Sequence, residues 1–121
     1  MKIYSFEKLN VWKQSLELVK MIYDITKRFP QEEKFGLSSQ IRRASVSIAS
    51  NLAEGTSRST KKDKAYFTTV SFSSAMEVLN QIIISKELRY ISNDEYLKLR
   101  KHLEVITTML NSLKKSQLSS I

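Results

Sequence analysis

Apolar residues recur along this chain at intervals of three and four, so the pattern predicts amphipathic helices separated by short polar breaks. Over Phe6 to Phe29, the residues Leu9, Trp12, Leu16, Val19, Tyr23 and Thr26 trace one stripe, and Trp12 and Tyr23 fall at core spacing. Pro30 ends this first helix, because it lacks an amide donor and restricts Phe29. The second predicted helix, Gln40 to Gly55 with Leu37 just upstream, divides into three faces at about 100° per residue. Gln40, Arg43, Ser47, Asn51 and Glu54 form a narrow polar arc, and Ile41, Ala44, Ile48 and Leu52 an apolar arc beside it. Ser45, Ala49 and Ala53 make a strip of small residues that lets another backbone approach closely. Gly55 can close the helix in a left-handed conformation without a Cβ penalty.

A polar, serine-rich and basic stretch follows, Thr56 to Lys64, and within it Thr60-Lys61-Lys62-Asp63 reads as a capping box with Asp in place of Glu. The third helix is expected over Lys61 to Arg89, on the order of 40 Å long. Phe67, Val70, Ser74, Val78 and Ile82 form one stripe on it; Phe72, Ala75, Leu79 and Ile83 form another. With Ile84 added, the apolar residues cover more circumference than one core stripe requires. Such breadth points to an oligomer, because large exposed apolar patches mark interfaces. Ser92-Asn93-Asp94-Glu95 starts the fourth helix with a capping box, and Tyr96, Leu99, Leu103, Ile106, Leu110 and Leu113 keep the three-four rhythm. The serine-rich tail after Lys115 is expected to fray. Four amphipathic helices on short links predict an all-α, up-and-down antiparallel four-helix bundle, one domain over residues 1–121.

Composition narrows the function. A chain of 121 residues can bury a core without disulfides, and it contains no cysteine. Neither cysteine nor a charged-then-apolar leader at Met1 to Phe6 suggests secretion, so a cytoplasmic location is expected. The longest mainly apolar run, Val78 to Ser85, is interrupted by Asn80 and Gln81 and is too short to span a membrane. Twenty Lys and Arg against 12 Asp and Glu leave a net charge of +8, which favours polyanionic partners.

Catalytic chemistry finds little to work with. The single histidine, His102, sits among Lys98, Arg100 and Lys101 and is expected to face solvent. A di-iron bundle needs Glu-x-x-His pairs, yet Leu99 lies three residues before His102. Two glycines cannot build a phosphate-cradling loop, and no thiol is available as a nucleophile. The paired carboxylates Glu32-Glu33 and Asp94-Glu95 fall at helix starts, where the dipole and free amides explain them. No enzymatic activity, cofactor or metal is therefore expected.

The candidates for phosphate contact are Arg42, Arg43, Arg58, Lys61, Lys62 and Lys64. Thr56 to Lys64 nets +3, but a solvated loop explains it equally well, since no aromatic interleaves its charges. A second basic span, Lys98 to Lys115, nets +4, although cations near a helix C-terminus also have a structural explanation. For an oligomer interface the candidates are Gln40, Arg43, Ser47, Asn51, Glu54 and Glu77, with Glu77 as a possible ion-pair partner for Arg42 or Arg43.

Several of these residues carry a family resemblance. Phe6, Leu9, Val11 and Trp12, then Phe29-Pro30, Glu33 and Leu37 belong to it. So do Gln40-Ile41-Arg42-Arg43, Ser47-Ile48, Asn51 and Ala53-Glu54-Gly55, followed by Phe67, Ser74 and Glu77. Together they resemble the small bacterial four-helix-bundle proteins encoded within intervening sequences of 23S rRNA genes. The chain departs from that pattern at Ser73-Ser74, where a Gly-Ser pair is expected, a change that would loosen a close helix contact. The resemblance implies a homo-oligomer, a pentameric ring, without enzymatic activity and with a role in binding nucleic acid. It also implies kinship with the accessory proteins of diversity-generating retroelements, basic pentamers that bind a reverse transcriptase and its RNA. Two functions follow as expectations: a self-assembling scaffold that contacts RNA or DNA through phosphates, or an adaptor whose basic face docks an acidic protein such as a reverse transcriptase.

Overall fold

A computed structural model describes residues 1–119 as four helices, α1 (Asn10–Thr26), α2 (Leu37–Thr56), α3 (Lys61–Glu87) and α4 (Asn93–Ser119). Two short 3-10 turns, Ser5–Lys8 and Gln31–Glu33, precede α1 and α2, and no strand occurs among the described residues. Each helix packs on its sequence neighbours and α1 closes on α4, so α1 and α3 stand diagonally across an up-and-down bundle. The core runs through Leu18 and Ile22 of α1, Ile41 and Ile48 of α2, Val78 and Ile82 of α3, and Leu99, Leu103, Ile106 and Leu110 of α4. Burying each such side chain contributes about 1.5–3 kcal/mol over leaving it exposed.

The stripe expected on the first helix is displaced. Its buried face is Val11, Ser15, Leu18, Ile22 and Ile25, continued by Phe29; of the expected stripe Thr26 is buried, whereas Leu9, Trp12, Leu16 and Val19 are half-buried at its side. Tyr23 is 40% exposed rather than in the core. Two regular apolar series run side by side along this segment, and the neighbouring helices select the one that includes a serine. Ser15 can be buried because its hydroxyl donates to the Val11 carbonyl at 2.8 Å. The helix also starts four residues later than expected. Leu9 is extended (φ −73°, ψ 124°), which lets Phe6 fold back with its ring edge on Trp12 at 5.1 Å.

The starts of α3 and α4 follow the sequence signals. At the start of α4, the Ser92 and Glu95 side chains accept each other's backbone N–H groups at 3.1 and 2.9 Å, and Thr60 accepts from the Asp63 amide at 3.1 Å before α3. The close of α2 differs from expectation. Gly55 stays helical with no left-handed φ, and its requirement is steric: a Cβ there would lie 2.9 Å from the Phe67 Cβ. The left-handed residue is instead Arg89 (φ 62°) after α3. There the Arg89 amide donates to the Lys86 carbonyl and the Tyr90 amide to the Ser85 carbonyl, closing a Schellman turn without glycine.

On α4 the predicted stripe is buried from Tyr96 through Leu110, with Leu113 half-buried. The helix does not fray after Lys115 but continues to Ser119, because the Gln117 side chain accepts a 2.7 Å bond from Thr68 of α3. The end of the tail, Ser120 and Ile121, lies outside the described residues.

Candidate functional site

The seam between α2 and α3 is close and lined with small polar groups. Ser71 donates from α3 to the Ile48 carbonyl of α2 at 3.0 Å, and the Ser47 and Ser74 hydroxyls are bonded at 2.9 Å. Asn51 donates to both the carbonyl and the hydroxyl of Ser47, at 2.9 and 3.0 Å. Ser47 and Asn51, two members of the polar arc, are thus partly consumed within the bundle. Ser73 is exposed, outside this contact, so its departure from the family pattern loosens nothing between α2 and α3; Ser74 carries the bond.

Outward from the seam lies an open cleft of about 370 Å³, lined by Gln40, Arg43, Ala44, Ser47 and Glu77. Four of the six residues expected at an interface therefore meet at one place. Asn51 and exposed Glu54 continue the arc toward the end of α2. Arg43 and Glu77 share the cleft without an ion pair, and the Glu77 carboxylate accepts instead from Gln81 at 3.3 Å. Elsewhere on α3, Met76 (38%), Ile83 (36%) and Ile84 (39%) are exposed, whereas Ile82 is buried and Phe67 and Phe72 are half-buried, so of the broad apolar set only Ile83 and Ile84 face outward.

The six candidate phosphate ligands do not form one patch. Arg42 is turned onto α1, where its Nε donates to the Thr26 hydroxyl at 2.7 Å and its guanidinium lies 4.7 Å from the centre of the Tyr23 ring. Adjacent residues on a helix point about 100° apart, which leaves Arg43 alone in the cleft. Arg58 lies 15 residues further on, roughly 22 Å along the helix. Around it the end of α2 and the first turns of α3 gather Arg58, Lys61, Lys62 and Lys64. Antiparallel packing then brings the C-terminal part of α4 to the same end, and Lys114 lines a groove with Thr68 and Thr69 of α3. Of the second basic span, Lys114 and Lys115 are placed near the first, while Lys98, Arg100 and Lys101 lie toward the opposite end of α4.

Aromatic rings complete the basic end. The Arg58 guanidinium lies 4.6 Å from the centre of the Phe67 ring, and Phe67 meets Tyr66 edge-on at 5.5 Å, with Tyr66 itself 62% exposed. Both rings fall just past the stretch Thr56 to Lys64, so a reading confined to that stretch misses them. One turn of helix is what returns Tyr66 to the side of Lys62.

Other polar groups have structural uses. His102, expected to face solvent, is half-buried, and its Nε2 is bonded to the Gln14 carbonyl at 2.8 Å, tying α4 to α1. Glu33 accepts the Leu37 amide at 3.1 Å, capping α2, and its other oxygen accepts the Tyr90 hydroxyl at 2.9 Å. That bond and the neighbouring carboxylate charge raise the Tyr90 pKa above its ordinary value. The Glu95 pKa is lowered, first by the Ser92 amide and then by its ion pair with Arg28.

The sequence profile described as 23S rRNA-intervening sequence protein matches residues 7–112, nearly the whole chain. The chain belongs to that family. A crystal structure of a protein of unknown function from the S23 ribosomal protein family of Bacteroides thetaiotaomicron VPI-5482 has the same fold, with a TM-score of 0.80. It is 25% identical, and the match covers 87% of this chain and 95% of that one. No curated protein matches this chain. Many of the residues by which this chain resembles its family hold helices together: Phe29 and Glu33 against Tyr90, Ser47 on Ser74, and Gly55 under Phe67. Gln40, Arg43 and Glu77 are the ones left facing the cleft.

Proposed function

We propose that this protein is a non-enzymatic, self-assembling bundle that binds the phosphate backbone of RNA or DNA through its basic end. The observation that carries the reading is the convergence of Arg58, Lys61, Lys62 and Lys64 at one end of the bundle, with Lys114 brought alongside by α4. Self-assembly is supported by the cleft at Arg43 and Glu77 together with exposed Ile84, two turns further along the same face of α3, and by Met76 and Ile83, exposed on the face beside it. That surface mixes apolar area with charges of both signs, the composition of a contact between copies of one chain. A pentameric ring would repeat the +8 charge five times and focus a strong field on polyanions.

Fluorescence anisotropy with a labelled oligonucleotide across a salt series tests the nucleic-acid reading. The logarithm of the affinity should fall linearly with the logarithm of salt concentration, and the slope should shrink by about one for each phosphate-binding lysine changed to glutamine at Lys61, Lys62 or Lys64. Binding that ignores salt, or no binding at low salt, refutes it. Nuclease-resistant capture of an acidic protein, with no oligonucleotide binding, would favour the adaptor function instead.

A further inference from the structure

We infer that Tyr66 is a stacking platform for an unpaired nucleobase, so that the basic end takes single-stranded nucleic acid in preference to duplex. The inference rests on the proposed phosphate binding and adds base contact to it. Tyr66 is the most exposed aromatic residue on the four helices at 62%, whereas a tyrosine used in packing buries its ring and leaves only the hydroxyl wet. Its edge-on contact with Phe67 fixes one side of the ring, and Phe67 is in turn covered by the Arg58 guanidinium. Three planar groups, guanidinium, phenyl and phenol, thus stand in sequence at the end of the bundle, the outermost open to solvent. Lys62 lies one helical turn before Tyr66 on the same face, while Lys61 and Lys64 occupy other sides of the first turns of α3.

Charge and ring supply the two components that single-strand binding sites combine: cations that follow the backbone and a π-face that accepts a base of any identity. A base within a duplex is already stacked and paired, so it gains nothing from Tyr66. Duplex binding would use the lysines alone. A tyrosine has only two side-chain torsions to fix, which keeps the entropic cost of stacking low.

Three kinds of labelled probe with equal numbers of phosphates separate the contributions: a mixed-sequence single strand, in RNA and DNA versions, the same backbone carrying abasic sites, and a duplex of half the length. The normal single strand should bind more tightly than its abasic counterpart. Tyr66→Ala should weaken single-strand binding by about 5- to 150-fold, the range for loss of one base–aromatic stack, with little change for the abasic strand or the duplex. Tyr66→Phe keeps the ring and should retain the affinity. If Tyr66→Ala binds the single strand as the parent does, while Lys62→Gln and Lys64→Gln weaken all probes, the stacking inference is overturned and phosphate binding stands. If no probe binds at low salt, both fall. Far-ultraviolet circular dichroism of each variant checks that the bundle is intact; where the alanine variant is unfolded, the parent protein decides the matter, because equal affinity for the normal and the abasic single strand overturns stacking.

Discussion

Replacing Gly55 with alanine sets two effects of known size against each other. Alanine is the better helix former, by about 1 kcal/mol in a helix interior. Gly55 is the penultimate residue of α2, so only part of that gain applies. Against it stands the new methyl group, 2.9 Å from the Phe67 Cβ and 3.6 Å from the Lys64 carbonyl. Carbon atoms rest at about 3.5–4.0 Å, and neither β-carbon can rotate away because each is fixed directly to its backbone. The two helices would have to part by roughly 0.5–1 Å, stretching the Ser71–Ile48 and Ser47–Ser74 bonds along the same seam. Overpacking of this kind costs about 1–3 kcal/mol, so the steric effect wins and Gly55→Ala should lose about 1–2 kcal/mol net. Urea unfolding followed by circular dichroism, at matched protein concentration, should show a lower midpoint with the same slope. A variant as stable as the parent, or more stable, would mean that α3 gives way freely and that the close approach does not constrain this position.

Arg89→Gly should stabilise the protein by about 0.5–1 kcal/mol, since glycine accepts the left-handed conformation that costs arginine energy; an unchanged melting temperature would refute this. The folded state holds Glu95 below its ordinary pKa of 4.5, so its contribution to stability is present above that pH and is lost as pH falls through the lowered value. In Glu95→Gln, stability should therefore fall less steeply with acid below pH 4.5, and an unaltered acid limb in unfolding curves would contradict the assignment. Light scattering should give a solution mass several-fold above the 14.0 kDa chain, and Met76→Asp with Ile84→Asp should reduce it; a monomeric parent would sink the self-assembly proposal.

The α4 stripe was legible because its apolar residues form a single series, and both capping boxes lie within four consecutive residues. Such features depend on helical geometry alone. For α1, the two parallel apolar series look equally good until α2 and α4 cover one of them, which is why Tyr23 was expected in the core and is found outside it, beneath Arg42. His102 differs from expectation for a related reason: Lys98 and Lys101 are exposed, but the His102 bond is to a carbonyl 88 residues away.

Much of the cleft lining was also visible at helical spacing, since Gln40, Arg43 and Ser47 lie on one face whatever packs against α2. The sequence by itself determined four helices, their order, and the family. What only the tertiary structure decided was direction and company: that Arg42 turns to α1 while Arg43 opens on the cleft, that Gly55 is needed for room and not for its backbone, and that Lys114 and Tyr66 join the cations at one end. Periodicity fixes which side of a helix a residue occupies, but which neighbour that side meets depends on contacts between segments far apart in the chain.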